Sequence, residues 1–189
     1  MFEAIQNLDV SMVFAVQSIH NAILDIVMNV ISMFGSSGGV FWGLVGIALC
    51  ITKRYRKIGV LVIVVLGVSA ITGSFIIKPL VERVRPCNEF LDVALISDRP
   101  HSYSFPSQHT FSSFAAASAL CFLSWKIGIP ALCFAGLIGF SRVYAFEHYP
   151  TDVFFGAVFG IIVTIICSYF VFLIYNKIAT KLIERKKQN

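Results

Sequence analysis

Six apolar runs decide what this chain can fold into. They cover about 10–34, 39–52, 58–78, 106–125, 127–146 and 153–176. A bilayer core about 30 Å thick is crossed by about 20 residues of helix, so most of these runs have the length of a membrane span. The second is short and reaches full length only by extending through the Gly38-Gly39 turn. The composition agrees: 57% of residues are apolar and 13% charged, against about 25% charged in an ordinary soluble domain. The expected fold is therefore all-α, an integral membrane bundle of about six transmembrane helices. It is expected to form a single domain over 1–189, with a polar tail from about 177.

The polar residues inside and between the runs carry the rest. In the first run Gln17, Asn21, Asp25 and Asn29 recur every four residues, which puts them on one face of a continuous helix. That face points into the bundle, or the first half of the helix lies in the membrane interface. The net charge of +5 is no nucleic-acid signature, because the basic residues sit at the ends of apolar runs rather than on a soluble face. Lys53, Arg54, Arg56, Lys57, Lys126, Lys177, Lys181, Arg185, Lys186 and Lys187 fall on one side of a six-span bundle. By the positive-inside bias that side is the cytoplasm. Both termini are then cytoplasmic, and the segments 79–105 and 147–152 face outward. The opening MFEAIQNLDV lacks the basic start of a cleavable signal, so the first helix is expected to remain in the mature protein. Cys50, Cys121, Cys133 and Cys167 lie in apolar runs, where Cys acts as a small hydrophobe. With Cys87 they form no C-x-x-C pair, which gives neither a metal cluster nor a disulfide framework.

The outward segments hold the chemistry in three clusters. In KPLVERVRP, Lys78 and Arg85 stand seven residues apart, about two turns of helix, before Pro86 ends any helix. Such cations either snorkel to lipid headgroups or hold an anion. In FPSQHTFSS, Pro106 and Ser107 read as a helix start. The first turn offers free N–H groups and a positive dipole end to an anion. Ser107 is then an anion donor or only a cap, and His109 a site residue or an interfacial histidine. In SRVYAFEHYPTD, Arg142 ends the fifth run, and Asp152 follows His148 by four residues. An Asp carboxylate on one imidazole nitrogen leaves the other as a nucleophilic lone pair. The alternative is an Asp that complements a helix dipole.

Together these residues suit phosphoryl transfer, which is mostly positioning and charge stabilisation. Lys78, Arg85 and Arg142 can hold phosphate oxygens, the arginines in bidentate fashion. His148 fits the nucleophile and His109 the acid for the leaving oxygen. Asp152 is committed to His148, and Glu82, Glu89, Asp92, Asp98 and Glu147 show no ligand spacing. The set therefore lacks the acidic ligands that Mg²⁺ needs, so neither metal nor cofactor is expected. A transporter also carries intramembrane His, Asp and Arg, but near mid-membrane, whereas these lie at span ends.

The three stretches, K-x6-RP from Lys78 to Pro86, PSxH from Pro106 to His109 and SR-x5-H-x3-D from Ser141 to Asp152, resemble the signature motifs of the type-2 phosphatidic acid phosphatase superfamily. That resemblance implies that Lys78, Arg85, Arg142, Ser107 and the Gln108 backbone bind phosphate. It implies that His148 forms a phosphohistidine oriented by Asp152, and that His109 protonates the leaving group and then activates water. Gln108 departs from the Gly usual at its position, which narrows the approach to the phosphate. Glu147 falls at an unrestricted position and reads as solvent-facing, or else as a charge that repels a second phosphate or raises the basicity of His148. His101 has no assigned role. The implied substrate is a lipid phosphate in the bilayer, with undecaprenyl pyrophosphate first and phosphatidylglycerol phosphate or phosphatidic acid as alternatives. Transfer of the phosphoryl group to a lipid acceptor would use the same residues.

Overall fold

A computed structural model describes residues 2–35 and 39–188, and it is helical, with no strand among the described residues. Three helices flank the N-terminal half of the bundle: α1 (Phe2–Gln17), α2 (Ala22–Gly35) and α3 (Val40–Ile51). Then α4 (Arg56–Ala70) continues through a π-helical stretch, Ile71–Ile77, into the short α5 (Lys78–Val81). A short α6 (Pro86–Glu89) opens the long loop. The bundle is completed by α7 (Gln108–Cys121), α8 (Trp125–Tyr144) and α9 (Pro150–Gln188).

The first apolar run is not one helix. Asn21 Oδ1 accepts hydrogen bonds from the backbone N–H of Ile23 at 3.2 Å and of Leu24 at 3.0 Å. That is an N-cap, and it starts a new helix instead of continuing the old one. The polar stripe is therefore divided. Gln17 and Asp25 both turn to Tyr144, at its carbonyl and its hydroxyl respectively, and Asn29 lines a cavity.

Among the described residues, three helical stretches are long and apolar enough to cross a membrane: Arg56–Glu89, Trp125–Tyr144 and Pro150–Ile178. The pair α2 and α3, bent by 49°, makes a fourth if it is one broken span. The expected count of six is not matched helix for helix, because α7 has only 14 residues, about 21 Å of helix, and α1 packs across one end of the bundle. Gly38 of the expected turn lies outside the described residues; Gly39, at φ 84°, starts α3 in a conformation that glycine adopts freely. The outward faces are apolar, as with Phe75 and Leu80, 77% and 78% exposed, and the protein is an integral membrane protein.

Asp9 of α1 accepts from Thr151 N at 3.0 Å and Arg83 Nη2 at 2.7 Å, at the end where α9 begins. From there α9 runs away for 39 residues. α1 and the last turns of α9 thus lie at opposite ends of the bundle.

Close helix approach sets the middle of the molecule. A Cβ on Gly160 of α9 would meet Phe111 O at 2.7 Å and Ala115 N at 2.8 Å, and one on Gly156 would meet Ser107 O at 2.9 Å. These two glycines let α9 lie on the backbone of α7, the small-residue packing common in membranes. Thr164 Oγ1 adds a hydrogen bond across the pair, to Ala115 O at 2.8 Å. On its other side α7 buries Ala116, Ala117 and Leu120 with Trp42, Leu61, Val62 and Val65. The start of α7 is therefore fixed against the start of α9, and both open on the same end of the bundle.

Candidate active site

The chain reaches this end three times, and each arrival is shaped locally. Between Lys78 and Arg85 the helix stops at Glu82, which takes φ 51°. A left-handed non-glycine residue costs about 1–3 kcal/mol and is kept only where its surroundings enforce it. Lys78 and Arg85 are consequently not on one helical face, as their spacing suggests; a turn brings them together. At the third arrival Phe146 takes φ 58°. It is fully buried with Val13, Cys87 and Val143, and its ring meets Phe14 at 5.3 Å and Phe90 at 6.3 Å. Both the Glu147 and His148 N–H groups donate to Arg142 O, at 3.1 and 3.3 Å. Phe146 thus anchors the turn that presents Glu147 and His148.

A cavity of about 560 Å³ lies between these arrivals, lined by Lys78, Arg85, Gln108, His109, Arg142, Glu147 and His148, with Asn29, Ser32 and Met33 of α2 on one wall. Lys78, Arg85 and Arg142 are each at most 6% exposed. Lys78 donates to Tyr103 O. Arg85 holds the loop through Ser102, with Nε on its carbonyl at 2.7 Å and Nη2 on its hydroxyl at 3.0 Å. Arg142 donates to the Ser32 hydroxyl and pairs with Glu147. His109, in the first turn of α7, packs against Gly35, where a Cβ would come within 3.1 Å of its Cδ2.

His148 is 1% exposed. Its Nε2 lies 3.0 Å from Arg85 Nη1, and a guanidinium can only donate. Nε2 therefore carries the lone pair and Nδ1 the proton. Nδ1 faces Ser104 Oγ at 3.4 Å and Asp152 Oδ2 at 3.6 Å, so the contact to Asp152 is longer than a hydrogen bond. Ser104 bridges the gap, donating to the same Oδ2 at 2.5 Å. Asp152 is not committed to His148 alone. Its Oδ2 also accepts from Tyr149 N at 2.9 Å, as the third residue of a capping box does, and its Oδ1 accepts from Arg83 Nη1 at 2.6 Å.

The sequence-predicted residues thus fall into two groups. Lys78, Arg85, Gln108, His109, Arg142 and His148 line the cavity, whereas Ser107 and Asp152 stand behind its wall. Ser107 is fully buried; its hydroxyl accepts from Thr110 at 3.0 Å and its N–H donates to Asp152 O at 3.1 Å. The Gln108 side chain is drawn toward the π-helical stretch, with Nε2 on Ser69 O and Oε1 accepting from Ser74 Oγ, both at 3.3 Å. Glu147 is not solvent-facing but 4% exposed. Arg83, Ser104 and Asp9 went unassigned in the sequence. Their partners lie 48 to 74 residues away, and no local spacing marks them. No cluster of metal-ligating side chains occurs among the described residues.

Burial pushes the His148 imidazole well below its ordinary 6.5, and Arg85, Lys78 and Arg142 add to this, against a hydrogen bond to the Ser104 backbone. Neutral His148 therefore persists below pH 6.5. The acid limb of kcat/KM is expected below that value, once the substrate's own ionisation is allowed for. A midpoint at or above 6.5 would contradict this environment. The unfolded chain takes up this proton first, so the same shift removes stability as pH falls below 6.5.

The family model described as the PAP2 superfamily matches residues 58–175, a stretch that holds every cavity residue from Lys78 to His148. The chain belongs to the PAP2 superfamily. Among PAP2 relatives it is 32% identical over 148 residues to an undecaprenyl-diphosphatase, BcrC, of Bacillus subtilis, covering 76% of this chain and 73% of that one. It is 32% identical over 123 residues to an undecaprenyl-diphosphatase of Sulfolobus acidocaldarius, covering 63% of this chain and 58% of that one. The crystal structure of a transmembrane PAP2 type phosphatidylglycerolphosphate phosphatase from Bacillus subtilis superposes with a TM-score of 0.73 at 28% identity, over 88% of this chain and 86% of that one.

Proposed function

We propose that this PAP2 membrane phosphatase hydrolyses a lipid pyrophosphate, undecaprenyl pyrophosphate first among the candidates, through a phosphohistidine on His148. The observation that carries the reading is the lone pair of His148 Nε2, held beside Arg85 on a cavity also lined by Lys78, Arg142 and His109. The cations take the oxygens of the terminal phosphate, with the first N–H groups of α7, beginning at Gln108, as further donors. Nε2 attacks phosphorus; the N–P bond forms as the bond to the leaving oxygen breaks, and His109 protonates that oxygen. Water, deprotonated by His109, then attacks phosphorus and the N–P bond breaks, releasing inorganic phosphate. Ser107 and Asp152 act from behind the wall, Asp152 by holding Ser104 and the turn that carries His148. Two 32% identical relatives carry the name undecaprenyl-diphosphatase, which supports this lipid over phosphatidylglycerol phosphate.

The test is phosphate release by purified protein in detergent with EDTA, from undecaprenyl pyrophosphate, phosphatidylglycerol phosphate and phosphatidic acid in parallel. Release is expected from the first with the highest kcat/KM. Vanadate, a five-coordinate mimic, is expected to inhibit competitively. Loss of activity in EDTA that Mg²⁺ restores would refute metal-free chemistry, and release only with a lipid acceptor present would make the protein a phosphotransferase.

The cavity is assigned to the extracytoplasmic face, because Lys53, Arg54, Arg56 and Lys57 lie at the other end, between α3 and α4. With α1 at the cavity end, the N-terminus is outward and the C-terminus cytoplasmic. An N-terminal tag should be cleaved by protease outside intact cells and a C-terminal tag only after lysis; the reverse pattern would invert the assignment.

A further inference from the structure

Glu147 holds the arginines that a phosphate has to use. Its side chain is 5% exposed. Oε2 pairs with Arg142 Nη2 and lies 3.5 Å from Arg85 Nη1, while Oε1 accepts from Ser97 Oγ at 2.8 Å. Asp152, the other fully buried carboxylate beside His148, is occupied by Arg83. Glu147 therefore supplies the counter-charge that the arginines lining the cavity need, since a buried charge persists only when paired.

The pairing is half complete. Arg142 Nη1 is on Ser32 and Nη2 on Glu147, while Nε is buried with no partner among the described residues. Nε and Nη2 form one edge of the guanidinium, the edge that accepts two oxygens of a phosphate side by side. One carboxylate oxygen fills half of it. A phosphate fills both halves, and to do so it has to take Nη2 from Glu147.

We propose that Glu147 is a specificity-determining internal competitor: its carboxylate neutralises Arg142 and Arg85 while the site is empty, yields the Arg142 edge to the substrate phosphate, and reclaims it as product leaves. This rests on the reading of the cavity as a phosphate site. A lipid phosphate has its tail's burial to help it displace the carboxylate. Inorganic phosphate has only its anionic contacts, so with the same displacement cost to meet it is held weakly and leaves.

Binding of inorganic phosphate and of vanadate is measured by titration calorimetry on purified wild type, Glu147→Gln and the charge-keeping Glu147→Asp, with KM and kcat for the lipid alongside. The Gln variant keeps the shape and loses the charge. Its Kd for phosphate is expected to fall by at least about tenfold, equivalent to about 1.4 kcal/mol, with a lower KM and a lower kcat as release slows. The Asp variant is expected to stay near wild type. Unchanged or weaker phosphate binding in the Gln variant would overturn the proposal, as would equal tightening in Asp. If the Gln variant does not fold, Glu147→Ala takes its place in the same comparison. The calorimetry needs no turnover, so a wild type that hydrolyses no lipid would refute the proposed function while the binding comparison still decides the role of Glu147.

Discussion

Replacing His148 by Ala is expected to cut phosphate release by at least about a thousandfold, about 4 kcal/mol of barrier, while the protein stays folded. The geometry assigns the lone pair of His148 to Nε2, through the 3.0 Å contact from Arg85. Without it the cations still bind phosphate, but no group in the same place forms the covalent bond. The structural cost is smaller, because Arg85 keeps its two bonds to Ser102 and the turn keeps Phe146 in its aromatic cluster. Monodisperse elution in detergent with unchanged helical circular dichroism reports the fold, and rapid quench with radiolabelled substrate reports the acid-labile phosphoenzyme. A His148→Ala protein that turns over near the wild-type rate, or still traps the phosphoenzyme, would remove His148 from the mechanism.

The parts of this site that were legible in the sequence are those carried by short-range spacing. Lys78, His109, Arg142 and His148 reach the same cavity because each lies at or beside an end of an apolar helix, and helix ends can be read from where hydrophobicity stops; Arg85 joins them through the turn after Glu82. The unreadable parts depend on the third dimension. Asn21 falls on the periodic stripe of a helix and yet ends it, because its side chain competes for the backbone. Glu147 looks like a surface residue beside a turn; only the burial of Arg142 and Arg85 makes its charge worth keeping inside. Ser104 takes the place between His148 and Asp152 because the loop from Phe90 to Phe105 folds back, with Ser104 N donating to Arg83 O at 2.7 Å. The exact number of spans is hard to read for a related reason. Apolarity measures burial in lipid or in protein alike, so a run such as 10–34 does not say whether it crosses the membrane or lies across the bundle.

Arg83 illustrates how much a site can owe to a residue that never touches the substrate, and Arg83→Ala carries the other large expected effect. Its guanidinium holds two carboxylates at once, Asp152 Oδ1 at 2.6 Å and Asp9 Oδ2 at 2.7 Å, with Thr151 and Gln6 on its remaining donors and the Tyr149 ring 4.1 Å below. Asp152 and Asp9 are 0% and 1% exposed. Removing the shared cation strands two buried negative charges close together, and breaking a buried pair in this way costs about 3–5 kcal/mol. It also loosens the carboxylate that Ser104 and Tyr149 N use to set His148, so kcat is expected to fall together with stability. Denaturant unfolding in detergent measures the first effect and single-turnover phosphate release the second. Arg83→Lys keeps the charge but not the fork that reaches both acids, so it should recover part of each. Asp9→Asn removes one of the stranded charges, so in combination with Arg83→Ala it should cost less than the sum of the two changes, as expected for residues in one network. An Arg83→Ala protein less than about 1 kcal/mol weaker than wild type, within the range of ordinary surface pairs, would mean that α1 and the turn that carries His148 are held together by their apolar contacts alone.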